Sequence, residues 1–279
     1  MLKPIKELLS EELGDELSKK EFLLLPSSYQ KIGNIVILNL KKELWKYDKI
    51  IGKIILEKIP STKSVFRRTG FIETELRTPQ IKLISGVNNT VTTNKEHGII
   101  YKLDVRKIMF SKGNLNERKR IVKQIRKGEI IVDMFAGIGY FSLGLAKFSV
   151  AKKIYAIEIN PKSYEYLLEN MRLNKVGNKV VPILGDCIVE IPKLGRIADR
   201  VIMGLLPSCK EYLKDAMKVV KPNGSIHYHG VAKEDEDKLF EDVEKAAEKE
   251  GRKVKLIKKT KVKSYAPKIY HWVLDCEIM

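Results

Sequence analysis

Cysteine is sparse in this 279-residue chain: only Cys187, Cys209 and Cys276, with no paired spacing. An odd, scattered set excludes a disulfide-stapled scaffold and fits a reducing compartment, so a cytoplasmic protein is expected. Long apolar runs are missing as well. No stretch approaches the roughly 20 residues that a spanning helix needs. The opening MLKPIKELLSEEL lacks a signal-peptide pattern, so no membrane association is expected. Negative charge is the minority sign, with 35 acidic against 53 basic side chains and a net charge of +18. That surplus favours a polyanionic partner, nucleic acid first. Glutamine is scarce while Lys, Glu and Ile abound, the composition of a heat-adapted source. Hydrophobic residues reach 44%, enough for a buried core, and the length suits one large domain or two modest ones.

What is present changes character near residue 105. IKELLSEELGDEL predicts an amphipathic helix and NIVILNL a strand. KELWKYDKIIGKIILEKI predicts a helix with Leu44, Tyr47, Ile51, Ile54 and Ile55 on one face. From KSVFRR to GIIYKLDV, short alternating segments broken by Gly70, Gly86, Asn88, Asn89 and Gly98 predict small strands and hairpins. Residues 1–105 are thus expected to form a small α+β domain, 106–128 a connecting basic helix, and 129–279 an α/β domain. In the last, EIIVDMF, KIYAIEI, KVVPILGD, DRVIMGLL and SIHYHGV read as buried strands, with helices over 142–148, 161–173, 209–219 and 234–250. This alternation predicts a doubly wound, mostly parallel sheet. After residue 250 two runs follow with no helix between them, which predicts an antiparallel hairpin at the sheet edge.

The turn 133–139, in VDMFAGIGYFS, lies where such sheets bind ligands, beyond the strand C-termini. Gly137 and Gly139 let the backbone approach a ligand, and the following helix presents its N-terminus. A dinucleotide fingerprint wants a third glycine where Ser142 stands, and the G-K-[ST] of a P-loop is absent. Asp133 is the most informative residue. A carboxylate there repels a pyrophosphate but suits a ligand carrying a sulfonium and an ammonium. Glu158 ends the next strand about twenty residues on, placed to accept from ribose hydroxyls. Asp186 ends a third strand, placed to accept from an exocyclic adenine amine. Each acid alone could merely cap a helix or a turn. Acid, glycine loop, acid and acid at consecutive strand ends mark an S-adenosylmethionine site. The neighbouring Phe135, Ala136, Ile159 and Cys187 are taken with it.

DVRKIMFSKGNLNERKRI, VDMFAGIGYFSLGLAKF, YAIEINPKSYEYLLENMRLNKV, GDC, ADRVIMGLLPS, GSIHYHG and SYAPKIYHWVLD together resemble the archaeal tRNA enzymes that act on the purine at position 37. The resemblance runs from about Gly98 to the C-terminus and implies a class I methyltransferase-like Rossmann fold. The family contains guanosine-37 N1-methyltransferases and their wyosine-pathway relatives. The latter transfer the 3-amino-3-carboxypropyl group of S-adenosylmethionine to C7 of 4-demethylwyosine in tRNA(Phe). The stretch VIMGLLPS separates the branches. Where the methyltransferases carry an asparagine ahead of Leu-Pro or Pro-Pro, this chain has Gly204, Leu205, Leu206 and Pro207. Glycine offers no acceptor to hold a nucleophile near the methyl carbon, and the leucines make an apolar platform for a tricyclic base. The resemblance therefore implies aminocarboxypropyl transfer with release of methylthioadenosine, guanosine-37 N1-methylation being the alternative.

A sulfonium has three activated carbons, and the one held in line with the nucleophile, about 3–3.5 Å away, reacts. Moving the larger group requires its amino-acid arm to be turned toward the base and held. The resemblance implies that FSKGNLNER does this, Ser111 through its hydroxyl and Arg118 by a bidentate grip on the carboxylate. Without it, NERKRIVKQIRK reads as a solvated basic face. No general base stands out for the proton that C7 must lose. The candidate catalytic residues are Arg118, Leu206, Pro207 and His229. His229 shares a strand face with His227, and no third ligand is spaced to make them a metal site. Tyr265, Pro267, Tyr270 and Trp272 either border the base pocket or fill core. Candidate phosphate-neutralising clusters are Arg67 with Arg68, Lys112 with residues 118–126, and residues 255–263. They would serve the anticodon loop of tRNA, where a base is splayed out at modest cost. An RNA-binding relic would have no use for the intact Asp133, Gly137, Gly139 and Glu158 set. A nicotinamide-dependent dehydrogenase is disfavoured by Asp133 and Ser142. The working expectation is a monomer.

Overall fold

Helical spacing of apolar residues opens the chain in a computed structural model that describes residues 3–70, 78–111, 113–234 and 236–279. Lys112 and the part of the expected hairpin region at 71–77 lie outside the described residues. The chain divides into two compact units, Met1–Phe110 and Ser111–Met279. In the first, α1 (Ile5–Leu13) buries Ile5, Leu8, Leu9 and Leu13. A capping box starts α2 (Lys19–Leu24), with the Ser18 hydroxyl and the Glu21 carboxylate each accepting a backbone N–H of the other. Then come β1 (Gln30–Ile32), β2 (Ile35–Leu38), α3 (Asp48–Lys58), β3 (Ser64–Arg68) and β4 (Ile81–Gly86). These strands form one sheet in the order β1-β2-β3-β4, with β2 and β3 parallel and α3 as their crossover. An antiparallel hairpin of β5 (Val91–Glu96) and β6 (Ile99–Asp104) completes the unit. Its core joins Leu9, Val36, Leu38, Leu44, Ile51, Ile55 and Val65.

The second unit begins with α4 (Leu115–Val122), so only part of the basic stretch 106–128 is helical. After it come β7 (Ile130–Asp133), α5 (Ser142–Phe148), β8 (Lys153–Glu158), α6 (Pro161–Asn174) and β9 (Val180–Leu184). Then follow α7 (Cys187–Leu194), β10 (Ala198–Met203), α8 (Leu213–Val219), β11 (Val220–Ala232), α9 (Lys238–Lys249), β12 (Val254–Ala266) and β13 (Ile269–Ile278). The sheet order is β12-β13-β11-β10-β7-β8-β9. Strands β9, β8, β7, β10 and β11 run parallel, and β13 pairs antiparallel with both β11 and β12. This is the expected class I methyltransferase-like sheet with its terminal hairpin. The register of β12 slips at several points along β13, which marks bulges in that edge strand.

Sequence reasoning missed α7, a short helix with Pro192 inside it. The fourth expected helix, 234–250, starts later, at Lys238. Val132, Met203, Ile226, Tyr228 and Leu274 are fully buried between sheet and helices. Complete burial of Val132, Met203, Ile226 or Leu274 contributes about 1.5–3 kcal/mol each. Because the chain leaves β7 toward β8 on one side and later returns to β10 on the other, the C-terminal end of β7 is the switch point of the sheet.

Candidate cofactor and acceptor site

Asp133, the last residue of β7, is fully buried. Its Oδ2 accepts from Ser142 Oγ at 2.6 Å and its Oδ1 from the Phe135 N–H at 3.4 Å. Burial pushes its pKa up to about 6, against the pull of those hydrogen bonds. Ser142, which stands where a dinucleotide fold has glycine, therefore holds the acid in place. Gly137 and Gly139 have φ of +58° and +96°, the left-handed region that glycine enters without strain. A Cβ at Gly139 would meet Leu143 at 2.5 Å, so the loop packs directly onto α5. The Gly137 N–H donates to Glu158 Oε2 at 2.7 Å, and the Asn160 N–H donates to Oε1 at 2.8 Å. Burial raises the Glu158 pKa, opposed by these two N–H groups and reinforced by nearby Asp133. Each carboxylate oxygen retains a lone pair beyond the one used by the backbone. The buried Ala136 donates its N–H to the Ile157 carbonyl at 2.8 Å, which ties the loop to β8. Phe135 packs edge-on against Tyr212, centroids 5.0 Å apart.

Asp186 caps α7, accepting the Ile188 N–H at 2.9 Å. Cys187 beside it is buried, and burial pushes its thiol up to about 12. Ile159, Leu184 and Ile188 are 43%, 47% and 47% exposed at the ends of β8 and β9 and the start of α7. These exposed apolar side chains flank Asp186 and suit a planar heterocycle with an amine at its rim.

Arg118 is buried rather than solvated. Its Nη2 donates to the Ser111 carbonyl at 2.8 Å, and its guanidinium lies 4.8 Å from the ring centroid of Tyr140, the residue after Gly139. Segment and glycine loop therefore meet, with Ser111 contributing a carbonyl to the arginine. Two turns of α4 also carry a network that no local sequence pattern announces. Arg120 donates to Glu117 at 2.7 and 2.8 Å and through Nη2 to Asp275 at 2.7 Å. Asp275 also takes Gln124 Nε2 at 3.1 Å and His227 Nδ1 at 2.7 Å. His227 Nε2 lies 2.6 Å from Arg200 Nη1, so Nε2 accepts and Nδ1 carries the proton. Arg200 in turn holds Glu129 at 2.9 and 3.1 Å. Burial alone would push the Asp275 carboxyl up, but the bonds from Arg120 and His227 hold it well below the usual carboxylate range. Glu117, Arg120, Arg200 and Asp275 thus fasten α4, and with it Arg118, to the sheet.

At the end of β10, a Cβ on Gly204 would meet the Phe141 ring at 2.9 Å. Leu205 and Leu206 are half-buried and Pro207 is exposed. The Pro207 carbonyl accepts the Val231 N–H at 3.1 Å. Cys209 Sγ donates to the carbonyls of Met203 and His229 at 3.5 and 3.4 Å, so this loop is stitched to β11. Phe141 also stands edge-on to the buried His229 ring at 5.4 Å. Of the terminal aromatics, Trp272 fills core and donates to the Ala232 carbonyl at 3.3 Å. Tyr270 lies under Lys261, 3.5 Å from Nζ to the ring centroid, and Tyr265 is exposed.

The expected basic clusters divide. Arg67 is buried, donates from Nε to both oxygens of Asp48 at 2.9 and 2.8 Å and lies 3.6 Å over Trp45. It forms a structural ion pair, so its guanidinium is already engaged within the first unit. Arg120 is likewise engaged. Lys255, Lys258 and Lys261 on β12 are exposed. Among the described residues no helix is long and apolar enough to cross a membrane.

Residues 92–257 match the TRM5/TYW2 methyltransferase domain and residues 5–90 the TYW2 N-terminal domain. The chain is 43% identical to the tRNA(Phe) (4-demethylwyosine(37)-C(7)) aminocarboxypropyltransferase of Methanocaldococcus jannaschii, over 89% of this chain and 97% of that one. It is 40% identical to the tRNA (guanine(37)-N(1))-methyltransferase Trm5b of Pyrococcus abyssi, over 91% of this chain and 76% of that one. Among solved structures it is similar to TYW2 of P. horikoshii in complex with MeSAdo, with a TM-score of 0.82 and 35% identity, covering 98% of this chain and 99% of that one. With its glycine loop, its acids at successive strand ends and matches across both units, the chain belongs to the TRM5/TYW2 family.

Proposed function

We propose that this chain transfers the 3-amino-3-carboxypropyl group of S-adenosylmethionine to C7 of 4-demethylwyosine at position 37 of tRNA(Phe), releasing methylthioadenosine. The observation that carries the choice of group is Gly204. The end of β10 offers no side-chain acceptor beside the reacting atoms, and Phe141 already fills the space one would take. The match of residues 5–90 to a TYW2 N-terminal domain supports the same choice. So does the Pyrococcus horikoshii neighbour, since MeSAdo is what S-adenosylmethionine leaves once the aminocarboxypropyl arm has gone.

The donor set fits the co-substrate, a cation with an adenosine body. Phe135, Ala136, Gly137 and Gly139 present backbone, Asp133 and Glu158 present negative charge, and Ile159, Asp186 and Cys187 bound the adenine end. Arg118, held by Ser111 and Tyr140, is assigned to the carboxylate of the methionine arm. When bound, S-adenosylmethionine supplies an activated carbon; the protein's task is to orient it. Leu206 and Pro207 offer the base an apolar face that excludes water. Residues 1–105 form a tRNA-contacting domain in this reading, 106–128 a connector and 129–279 the catalytic domain. Phosphates of the anticodon loop meet the exposed lysines of β12. The protein acts as a monomer in the cytoplasm, in keeping with three free, buried cysteines.

The similarity to Trm5b favours methylation of guanosine-37 as a second reading. Incubation of the protein and tRNA with S-adenosylmethionine labelled either in the methyl or in the carboxyl carbon separates the two. Carboxyl label is expected in the RNA. Label arriving only from the methyl refutes the transfer proposed here.

A further inference from the structure

One lysine of β12 stands apart from the others. Lys259 and Lys261 lie over the rings of Trp272 and Tyr270, 5.0 and 3.5 Å from the centroids. They pair with Asp237 and Glu234 at 3.3 and 2.8 Å. Strict alternation along the strand would put Lys263 on that same face of the sheet. The register of β12 slips between Lys261 and Lys263, however, so that Lys261 faces Trp272 and Lys263 faces His271. One extra residue sends the next side chain to the opposite face. His271 marks that face. Its Nε2 lies 3.0 Å from Nδ1 of His229, which it meets diagonally in the β11–β13 register, and His229 stands against Phe141. Phe141 follows Tyr140, whose ring lies against Arg118.

On this face Lys263 is half-buried, whereas Lys255, Lys258 and Lys261 are exposed. A Cβ on Gly113 would run into the Lys263 ammonium and come within 2.9 Å of its Cδ and Cε. Gly113 is two residues from Ser111, whose carbonyl takes Arg118 Nη2. Ammonium and guanidinium therefore approach the same short segment. Burial, then the charge of Arg118, lower the Lys263 pKa, and no carboxylate among the described residues offsets them. Like charges brought together repel, and an anion seated against both removes that cost while taking a charge-assisted hydrogen bond from each. An anion that reaches a guanidinium only 9% exposed must be small. A carboxylate on a flexible arm qualifies, and a phosphodiester within an RNA backbone does not.

We propose that Lys263 binds the carboxylate of the aminocarboxypropyl arm together with Arg118, so that two cations from distant parts of the chain hold the arm turned toward the base. This rests on the transfer reaction and the Arg118 assignment proposed above. The bulge in β12 takes Lys263 out of the row of lysines that meets RNA and aims it at the co-substrate. Gly113 leaves room for it, since any side chain there would occupy the place of the ammonium.

The variant Lys263→Met keeps the apolar stem and removes the charge. Titration calorimetry would compare three probes on it. S-adenosylmethionine carries the whole arm, decarboxylated S-adenosylmethionine keeps the sulfonium and ammonium without the carboxylate, and methylthioadenosine lacks the arm. Affinity for the first is expected to fall about 10–100-fold, the range for one charge-assisted hydrogen bond. The other two should bind no more weakly than to wild type. Gly113→Ala, which keeps the charge but fills its place, should reproduce this selective loss, with thermal melting as the folding control. Equal loss for all three probes would mark a merely structural lysine and overturn the proposal. Unchanged S-adenosylmethionine affinity with weaker tRNA binding would overturn it too, returning Lys263 to the RNA backbone. The labelling experiment keeps the two readings apart. Wild-type protein that moves only methyl label overturns the functional reading, while a selective loss still supports the carboxylate grip. Carboxyl label moved without a selective loss overturns the grip alone.

Discussion

Replacing Asp275 by asparagine keeps the shape of the α4 network and removes its central charge. The side chain is 8% exposed and accepts from Arg120, His227 and Gln124. Losing one partner of a buried ion pair costs about 3–5 kcal/mol. Arg120, however, is 19% exposed and keeps its hold on Glu117, which shifts the cost to the low side of that range. With about 3 kcal/mol lost, and roughly 2–4 °C per kcal/mol for a unit of this size, the midpoint of Ser111–Met279 should fall by about 6–12 °C. Scanning calorimetry at pH 7 would measure it. The folded carboxyl sits below its unfolded pKa of 3.8, so its contribution is present above that value and fades as pH falls below it. The gap between wild type and Asp275→Asn should therefore narrow below about pH 4. A variant that melts with the wild type at pH 7, or a gap that persists unchanged in acid, would refute the assignment of this charge to the clamp.

Because burial holds Asp133 near 6, a cationic ligand bound against it should lose up to about tenfold affinity per pH unit below that point. Titration calorimetry with S-adenosylmethionine should show this more steeply than with neutral methylthioadenosine, and equal slopes would remove Asp133 from the cation site. Arg67→Ala should destabilise the first unit by about 3 kcal/mol in denaturant while leaving the salt dependence of tRNA affinity unchanged. Weakened tRNA binding at full stability would return Arg67 to the RNA surface. Lys255→Gln with Lys258→Gln should lower the slope of log affinity against log salt by about 0.7–0.9 for each phosphate left without its counter-charge. An unaltered slope in filter binding would clear β12 of that task.

The glycine loop and its acids were legible because each sits at the end of a strand announced by its own apolar run. Asp133, Gly137, Gly139 and Glu158 needed only local periodicity to be found. Arg118 was ambiguous in a basic stretch, since only the approach of Tyr140 distinguishes a docked guanidinium from a solvated one. α7 escaped notice because Pro192 interrupts a segment too short to show helical spacing. The least legible parts depend on cross-strand register. His271 lies between Tyr270 and Trp272, whose bulk drew attention, and its meaning comes from the turn that sets it diagonal to His229. Asp275 and Arg120 are 155 residues apart, and nothing local in either stretch announces the pairing.

Among the described residues, the thirteen-residue outer strand β12 pairs with β13 alone and has no second strand on its other edge. Bare backbone of that length invites a second chain to dock and start a fibre. Slipped register and a run of ammonium groups make the edge a poor template, for each added copy would bring like charges together. The lysines proposed to greet RNA thus double as insulation against self-assembly. Stripping them should cost solubility before it costs chemistry.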